Sequence, residues 1–412
     1  VSKLLRVAAV HTSFSLYWPA RLNALSRKLQ ENGTELHVIE VTADPGPYSF
    51  ARGPSLLELN GRIKQLFGDM AIASLKSPAI ASRVWDALES LKPDVVVAGA
   101  IAFTPGATAV RWCRSRRRGV VVMDDARLSD VPRSAAVNAI KRRIYANVDA
   151  MFVPAPSHLD MCQFFGFDPD SVFYGVDVVD NERLQSQVKS HRSSALRRVR
   201  DHELPRQFFV GVGRQVPKKN WPFLIDAYAA YRAAAGNAAW DLVLVGEGPD
   251  RALIESQIAG AMTAGVHLLP FLTPDEISIV YAGATSLVLP SLFGETWGLV
   301  VNEAMACGLP VLVSDQCGCA STLVKPDVNG WTFSPTDQAE LTSLLTRISS
   351  RDAAVVEQMG AASLQIIADW SLNRFSDGAF AAIQWCAPIR RGFASIADRV
   401  LFSIWKGRFR PT

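Results

Sequence analysis

Cysteine is scarce in this chain, and what there is supports neither a disulfide framework nor a zinc site. The six cysteines, at 113, 162, 307, 317, 319 and 386 of 412 residues, are too few for the first and lack the paired Cys-x-x-Cys spacing of the second. The closest cluster, Cys317-Gly318-Cys319, reads as small thiols buried in a packed turn, and a reducing cytoplasm is the expected compartment. No apolar run reaches the length needed to cross a bilayer, so any membrane role is expected to be peripheral, at the inner face of the cell membrane. Leu4–Val10 is apolar but ends at His11 without a small-residue cleavage site, so it reads as a first strand, not a leader. Charge bias is slight, at a formal +4; it permits an anionic partner without naming one, and no nucleic-acid partner is expected. No short tandem repeat is present.

What remains is a globular α/β composition, 49% hydrophobic and 20% charged, in a chain long enough for two domains. Short β-branched runs alternate with amphipathic segments, the pattern of parallel sheets covered by helices. Strands are expected at Leu4–Val10, Glu35–Val41, Asp94–Ala98, Val120–Met123 and Ala150–Val153. Helices are expected around Pro19–Glu31, Ile80–Leu91, Thr104–Arg117, Pro132–Asn147 and Pro156–Phe165. Asp44–Ser55, rich in proline and glycine, reads as a loop beside a cleft. The basic stretch Lys189–Arg206 is either a solvated linker or a phosphate-binding patch. The rhythm then restarts, with strands at Gln207–Val212, Leu242–Val245, Val266–Leu269, Ser286–Leu289 and Pro310–Val313. The expected architecture is therefore two doubly wound lobes, with ligand at the carboxyl ends of the strands.

Three motifs in the second half carry chemistry. The first, Gly211–Asn220, joins a strand to a helix. Its glycines, including Gly213, let the backbone turn, Arg214 can fork onto phosphate oxygens, and Lys219 supplies a mobile point charge. The second, Val245-Gly246-Glu247-Gly248-Pro249, is either a tight strand–helix turn with Pro249 at the first helical position or a backbone lining for a nucleotide. The third runs from Pro290 to Pro310. Here a buried strand leads into Glu295-Thr296-Trp297-Gly298-Leu299, a helix starts near Trp297 or Gly298, and Gly308 ends it. Glu303 lies within that otherwise apolar helix. It either caps a neighbouring group or meets sugar hydroxyls, because a buried carboxylate needs partners.

The order and spacing of these motifs (Gly-Arg-x5-Asn, Gly-Glu-Gly-Pro, and Glu-x7-Glu from Glu295 to Glu303) closely resemble family 4 of the retaining glycosyltransferases over residues 211–335. The resemblance implies a GT-B fold, two Rossmann-like domains facing across a cleft, with a nucleoside diphosphate sugar as co-substrate and no other cofactor. It implies that Arg214 and Lys219 hold the donor diphosphate, with the helix start at Trp297–Leu299 facing it. It further implies that Glu303 bonds the ribose and that Glu295 contacts the transferred sugar, with Gly213, Gly246, Gly248 and Thr296 around the donor. A divalent metal is not implied, since no Asp-x-Asp stands in a plausible nucleotide-side position. The implied reaction is front-face transfer with retained configuration to a glycan, lipid-linked or small-molecule acceptor, in polysaccharide or glycoconjugate assembly. An epimerase or phosphorylase is a second reading, and a catalytically silent nucleotide-sugar-binding partner or regulator a third.

The first half resembles the family less. Phe173-Tyr174-Gly175-Val176-Asp177 is similar to the segment closing its first lobe. The loop His11–Pro19 has no glycine where many members are glycine-rich. Where many carry a histidine after the fourth strand, this chain has Met123-Asp124-Asp125; the Asp pair either contacts sugar hydroxyls, Asp124 being the candidate, or caps a helix. The expected division is 1–188, a linker at 189–206, a donor domain at 207–372, and terminal helices at 373–412. In the last, Ile389, Phe393, Ile396, Val400 and Ile404 share one helical face among arginines and lysine. That helix either lies on an anionic membrane or packs back on the first lobe.

Overall fold

A computed structural model describes residues 5–43, 59, 62–130, 133–193, 198–260, 264–405 and 407; the loop expected at Asp44–Ser55 lies outside them. The chain forms two compact units. Val1–Val178 and Leu372–Thr412 make the first, and Val179–Ser371 the second.

In unit 1, strands β1 (Leu5–His11), β2 (Thr34–Glu40), β3 (Ile63–Gln65), β4 (Val95–Ala98), β5 (Gly119–Met123), β6 (Ala150–Val153) and β7 (Val172–Tyr174) form one sheet. Its order is β3-β2-β1-β4-β5-β6-β7, parallel throughout. The central strands are buried on both faces, as crossover helices require. Alternate residues Ala8, Val10, Val96, Ala98, Val120 and Val122 share a core with Val84, Leu88, Val110 and Trp112 of the helices Ser77–Leu91 and Thr104–Arg116. The helix Leu372–Cys386 packs against the helix Trp18–Glu31 and against β7.

Unit 2 contains a small antiparallel hairpin of β8 (Arg198–Val199) and β9 (His202–Glu203). Its main sheet holds β10 (Phe208–Val212), β11 (Asp241–Val245), β12 (Val266–Leu269), β13 (Ser286–Leu289), β14 (Val311–Ser314) and β15 (Gly330–Phe333). The order is β12-β11-β10-β13-β14-β15, again parallel. Phe209, Leu242, Leu244, Val288, Leu312 and Phe333 join Trp221, Leu224 and Tyr228 of the helix Trp221–Ala235 in its core. In both sheets the order in which strands are added reverses next to the first strand, at β1/β4 and at β10/β13, the switch point where ligands bind in doubly wound folds.

Four expectations need correction. The unit boundary falls at Val178/Val179, not at 189–206. Through Ser193 that stretch belongs to the helix Asn181–Ser193, which packs on the helix Pro274–Gly283, and the hairpin of β8 and β9 follows. Pro249 is not the first helical residue, because the next helix begins at Arg251. The Pro156–Phe165 helix is a 3-10 turn, Pro156–His158, followed by Leu159–Phe164. The terminal helix is shorter than expected: it runs Ile396–Ile404, with the Ser395 hydroxyl accepting from the Asp398 N–H as its N-cap, which leaves Ile389 and Phe393 outside it.

Candidate active site

Two loops leave adjacent strands at the switch point of unit 2. The loop after β10 carries Gly213, Arg214 and the 3-10 turn Pro217–Lys219. It ends at Asn220, whose left-handed conformation (φ 58°) starts the helix Trp221–Ala235. The loop after β13 carries Ser291, Glu295, Thr296 and Trp297, with Gly298 capping the helix Leu299–Ala306. Their backbones are tied where the Leu292 N–H donates to the Lys218 carbonyl at 2.8 Å.

Their side chains are tied as well. Lys219 Nζ lies 2.5 Å from Glu295 Oε2, and the Ser291 hydroxyl donates to the same oxygen at 2.9 Å. Lys218 Nζ reaches the Gly294 carbonyl at 3.4 Å. Burial by itself would raise the Glu295 carboxyl, but the charges of Lys219 and Lys218, with the Lys219 and Ser291 hydrogen bonds, outweigh it. The acid is held below its ordinary range. A carboxylate and an ammonium thus share a largely buried position beside a helix N-terminus, which favours a bound anion.

The surrounding glycines are set by close packing. The Gly246 backbone has φ +138°, and a Cβ there would fall 2.1 Å from the Gly213 carbonyl oxygen. A Cβ on Gly248 would meet the Gln215 carbonyl at 2.2 Å. The Gln215 side chain donates to the Gly246 carbonyl at 2.8 Å. The Gly-Glu-Gly turn therefore buttresses the Arg214 loop. On the other side, the Gly318 and Cys319 N–H groups donate to the carbonyls of Glu295 (3.0 Å) and Trp297 (3.1 Å). A side chain at 318 would stand 1.8 Å from the Thr296 oxygen. The Cys-Gly-Cys turn is a clamp on the Glu295 loop, and both of its thiols are buried.

Trp297 is buried, and its indole N–H donates to Asn302 Oδ1 at 2.9 Å, fixing the first turn of the helix. Gly308 ends that helix with the paired bonds of a Schellman motif, from the Gly308 N–H to Met305 O and from the Leu309 N–H to Ala304 O, both at 3.0 Å. Glu303 accepts a hydrogen bond from the Tyr281 hydroxyl at 2.8 Å. Sequence reasoning did not single out Tyr281. It sits on the helix Pro274–Gly283, outside every motif, and nothing in its spacing marks it.

In unit 1, Asp124 follows β5 and is buried. One carboxylate oxygen accepts from the Ala126 N–H at 3.0 Å, the other from the Tyr145 hydroxyl at 2.8 Å. This is a turn cap anchored to the core; neighbouring Asp125 is exposed. The glycine-free loop after β1 turns through Leu16, whose φ of +59° is strained for a leucine. The turn is pinned by the Phe14 N–H on Glu40 Oε1 at 2.5 Å and by buried Arg21, which donates twice to the Val178 carbonyl at 2.9 and 2.7 Å. His11, at the end of β1, packs among Phe14 and Trp18. Gly99 at the end of β4 leaves room for it, since a Cβ there would lie 2.5 Å from the ring. Desolvation lowers the His11 pKa; the Ser13 carbonyl opposes this and the Arg21 charge adds to it.

Among the described residues, no group of three or more His, Cys, Asp or Glu side chains is arranged to hold a metal ion, and no helix is long and apolar enough to cross a membrane.

Residues 193–363 match the family model described as Glycosyl transferases group 1, and residues 20–178 match Glycosyltransferase Family 4. A D-inositol 3-phosphate glycosyltransferase of Salinispora arenicola is 30% identical over 261 residues, covering 58% of each chain. The amylovoran biosynthesis glycosyltransferase AmsK of Erwinia amylovora is 31% identical over 163 residues, 38% of this chain and 39% of that one. The chain thus aligns with little more than half the length of these curated relatives at most. HepE of Anabaena, solved in complex with UDP, shares the fold with a TM-score of 0.67 at 18% identity, over 92% of this chain and 99% of that one.

Proposed function

The chain belongs to the GT4-type glycosyltransferases of GT-B fold, and on that premise we propose that it moves a sugar from a nucleoside diphosphate sugar to a glycan, lipid-linked or small-molecule acceptor with retained anomeric configuration. The observation that carries this reading is the 2.5 Å contact of Lys219 with Glu295, which unites the two motif loops at the switch point of one sheet. Arg214 and Lys219 take the donor diphosphate, and the N-terminus of the helix Leu299–Ala306 faces it. Glu303, oriented by Tyr281, takes the ribose, and Glu295 takes the sugar. Gly213, Gly246, Gly248 and Thr296 shape the backbone around the donor. Unit 2 is the donor domain and unit 1 the acceptor domain.

In the reaction the bond from the anomeric carbon to the diphosphate oxygen breaks, and its electron pair leaves with the diphosphate. The acceptor hydroxyl forms the new bond on the same face and gives its proton to the leaving phosphate. Positive groups placed where negative charge grows lower that barrier. Asp124 is assigned a supporting role, holding the turn that presents Asp125. The relatives' roles in polysaccharide and inositol glycoside formation make glycoconjugate assembly the proposed setting.

The test is a thermal-shift panel of UDP, GDP and ADP with their sugar conjugates. A ligand at about a hundred times its dissociation constant adds roughly 2.7 kcal/mol to the bound state. One base shifting the melting of unit 2 supports the reading; no shift with any nucleotide refutes it.

A further inference from the structure

The surface of unit 1 carries an apolar feature that sugar transfer does not use. In the terminal helix Ile396–Ile404, Phe402 is buried in the unit 1 core, with Leu401 packed against it. Ile396, Val400 and Ile404 recur every fourth residue and are 85%, 54% and 66% exposed. The helix is therefore satisfied on one side and apolar on its open side, the reverse of an ordinary surface helix. It abuts the helix Ala135–Tyr145, where Arg143 binds both Asp398 (2.9 Å) and the Ser395 hydroxyl (3.1 Å). That second helix is anchored by buried Ile144 and Tyr145, while Val137 and Ile140 are 44% and 40% exposed. Five of the large exposed hydrophobic side chains thus stand on two touching helices.

The exposed charge on these two segments is basic. Residues 133–147 contain Arg133, Lys141, Arg142 and Arg143 and no acid. Residues 387–405 contain Arg390, Arg391 and Arg399 against one acid, Asp398, which is buried and paired with Arg143, while Arg391 is paired with Asp149. Arg390 and Arg399 are exposed beside the apolar residues. Clustered exposed apolar side chains mark an interaction surface. Asp149 and Asp398, which pair with Arg391 and Arg143, are buried, so the charges left exposed on these segments are basic and select an anionic partner, and apolar side chains recurring along one exposed helix face select a lipid surface over a folded protein.

We propose that the helices Ala135–Tyr145 and Ile396–Ile404 form a peripheral docking surface for an anionic lipid bilayer. The inference stands on these exposed residues and does not depend on the sugar-transfer reading, because its readout is vesicle binding.

The experiment is co-sedimentation of the full chain with vesicles of phosphatidylcholine alone or mixed with phosphatidylglycerol, at low and high salt. The expected result is binding to the mixed vesicles at least about tenfold stronger than to phosphatidylcholine, weakening with salt. The variant Ile396→Ser/Val400→Ser/Ile404→Ser should lose about tenfold or more, and Val137→Ser/Ile140→Ser a smaller factor. Arg390→Glu/Arg399→Glu should remove the lipid-charge preference, at about fivefold per residue neutralised. All these positions are exposed, so melting temperature should be unchanged, and a variant that unfolds is replaced by the other helix's variant. Wild-type binding unaffected by lipid charge, or variants that bind like wild type, would overturn the proposal. So would a chain that ignores vesicles but dimerises in sedimentation velocity until the triple variant makes it monomeric; the occupant would then be a second copy.

Discussion

Replacing Glu295 with glutamine separates two roles that the Lys219–Glu295 contact joins. The pair is largely buried, with side chains 10% and 13% exposed. Removing one charge from such a pair leaves the other uncompensated, at a cost of about 3–5 kcal/mol. Glutamine keeps an oxygen that can accept from Lys219 and Ser291, so the lower end, about 3 kcal/mol, is expected. In a unit of this size that lowers the melting temperature by roughly 6–12 °C. The loss depends on pH. Glu295 is held below the ordinary carboxylate range, so its stabilisation is complete above the unfolded pKa of about 4.3 and disappears as pH falls through the folded one. The gap between wild type and variant should close in acid. Nucleotide binding should move the other way: with its carboxylate partner gone, Lys219 is released to the diphosphate, and nucleoside diphosphate affinity should hold or improve while turnover falls. Lys219→Ala, by contrast, deletes a charge-assisted contact worth about 1.5–3 kcal/mol, or roughly 10- to 150-fold in Kd. Calorimetric titration of both variants decides the matter. Equal loss of nucleotide affinity in Glu295→Gln and Lys219→Ala would refute the division of labour.

Tyr281→Phe removes the hydroxyl that orients Glu303. It should weaken nucleoside diphosphate binding by roughly 10-fold but leave binding of inorganic pyrophosphate, which has no ribose, unchanged in a competition assay. Gly318→Ala should destabilise unit 2 by about 1–3 kcal/mol through overpacking against the Thr296 carbonyl. Gly260→Ala, at a helical position with open space around it, should be neutral or stabilising by up to about 1 kcal/mol; paired melting curves test both. His11 has a lowered pKa when folded, so as pH drops below about 6.5 the unfolded chain takes up a proton that the folded one does not. Stability of unit 1 should fall over that window, and His11→Gln should flatten the slope in denaturant titrations.

The parallel sheets were legible because their central strands are buried on both faces and read as short apolar runs; Ala150–Val153 and Ser286–Leu289 appear with the expected bounds, as does the edge strand Val266–Leu269. β3, β7 and β15 were harder. All three are edge strands; β3 and β7 have only three residues and β15 begins at a glycine, so neither length nor a continuous apolar run marks them. The Lys189–Arg206 stretch misled because an exposed, charged helix face has the composition of a linker. On the terminal helix the periodicity was real but did not say which way the face points: Ile396, Val400 and Ile404 are exposed, and Phe402 anchors the helix instead. In the candidate site, the motif loops and the Gly308 stop were readable from spacing. The tie of Lys219 to Glu295, the tyrosine behind Glu303 and the clamp at Gly318 were not, since each depends on contacts between elements distant along the chain.

The most direct test of the central claim is proton NMR of donor turnover, following the anomeric signal of the base-matched nucleoside diphosphate sugar with an acceptor pool. The account predicts that donor is consumed, nucleoside diphosphate is released, and the product keeps the anomeric configuration of the donor, with Glu295→Gln slowing all three while still binding nucleotide. A donor that binds and is never consumed, or a product of inverted configuration, would contradict it.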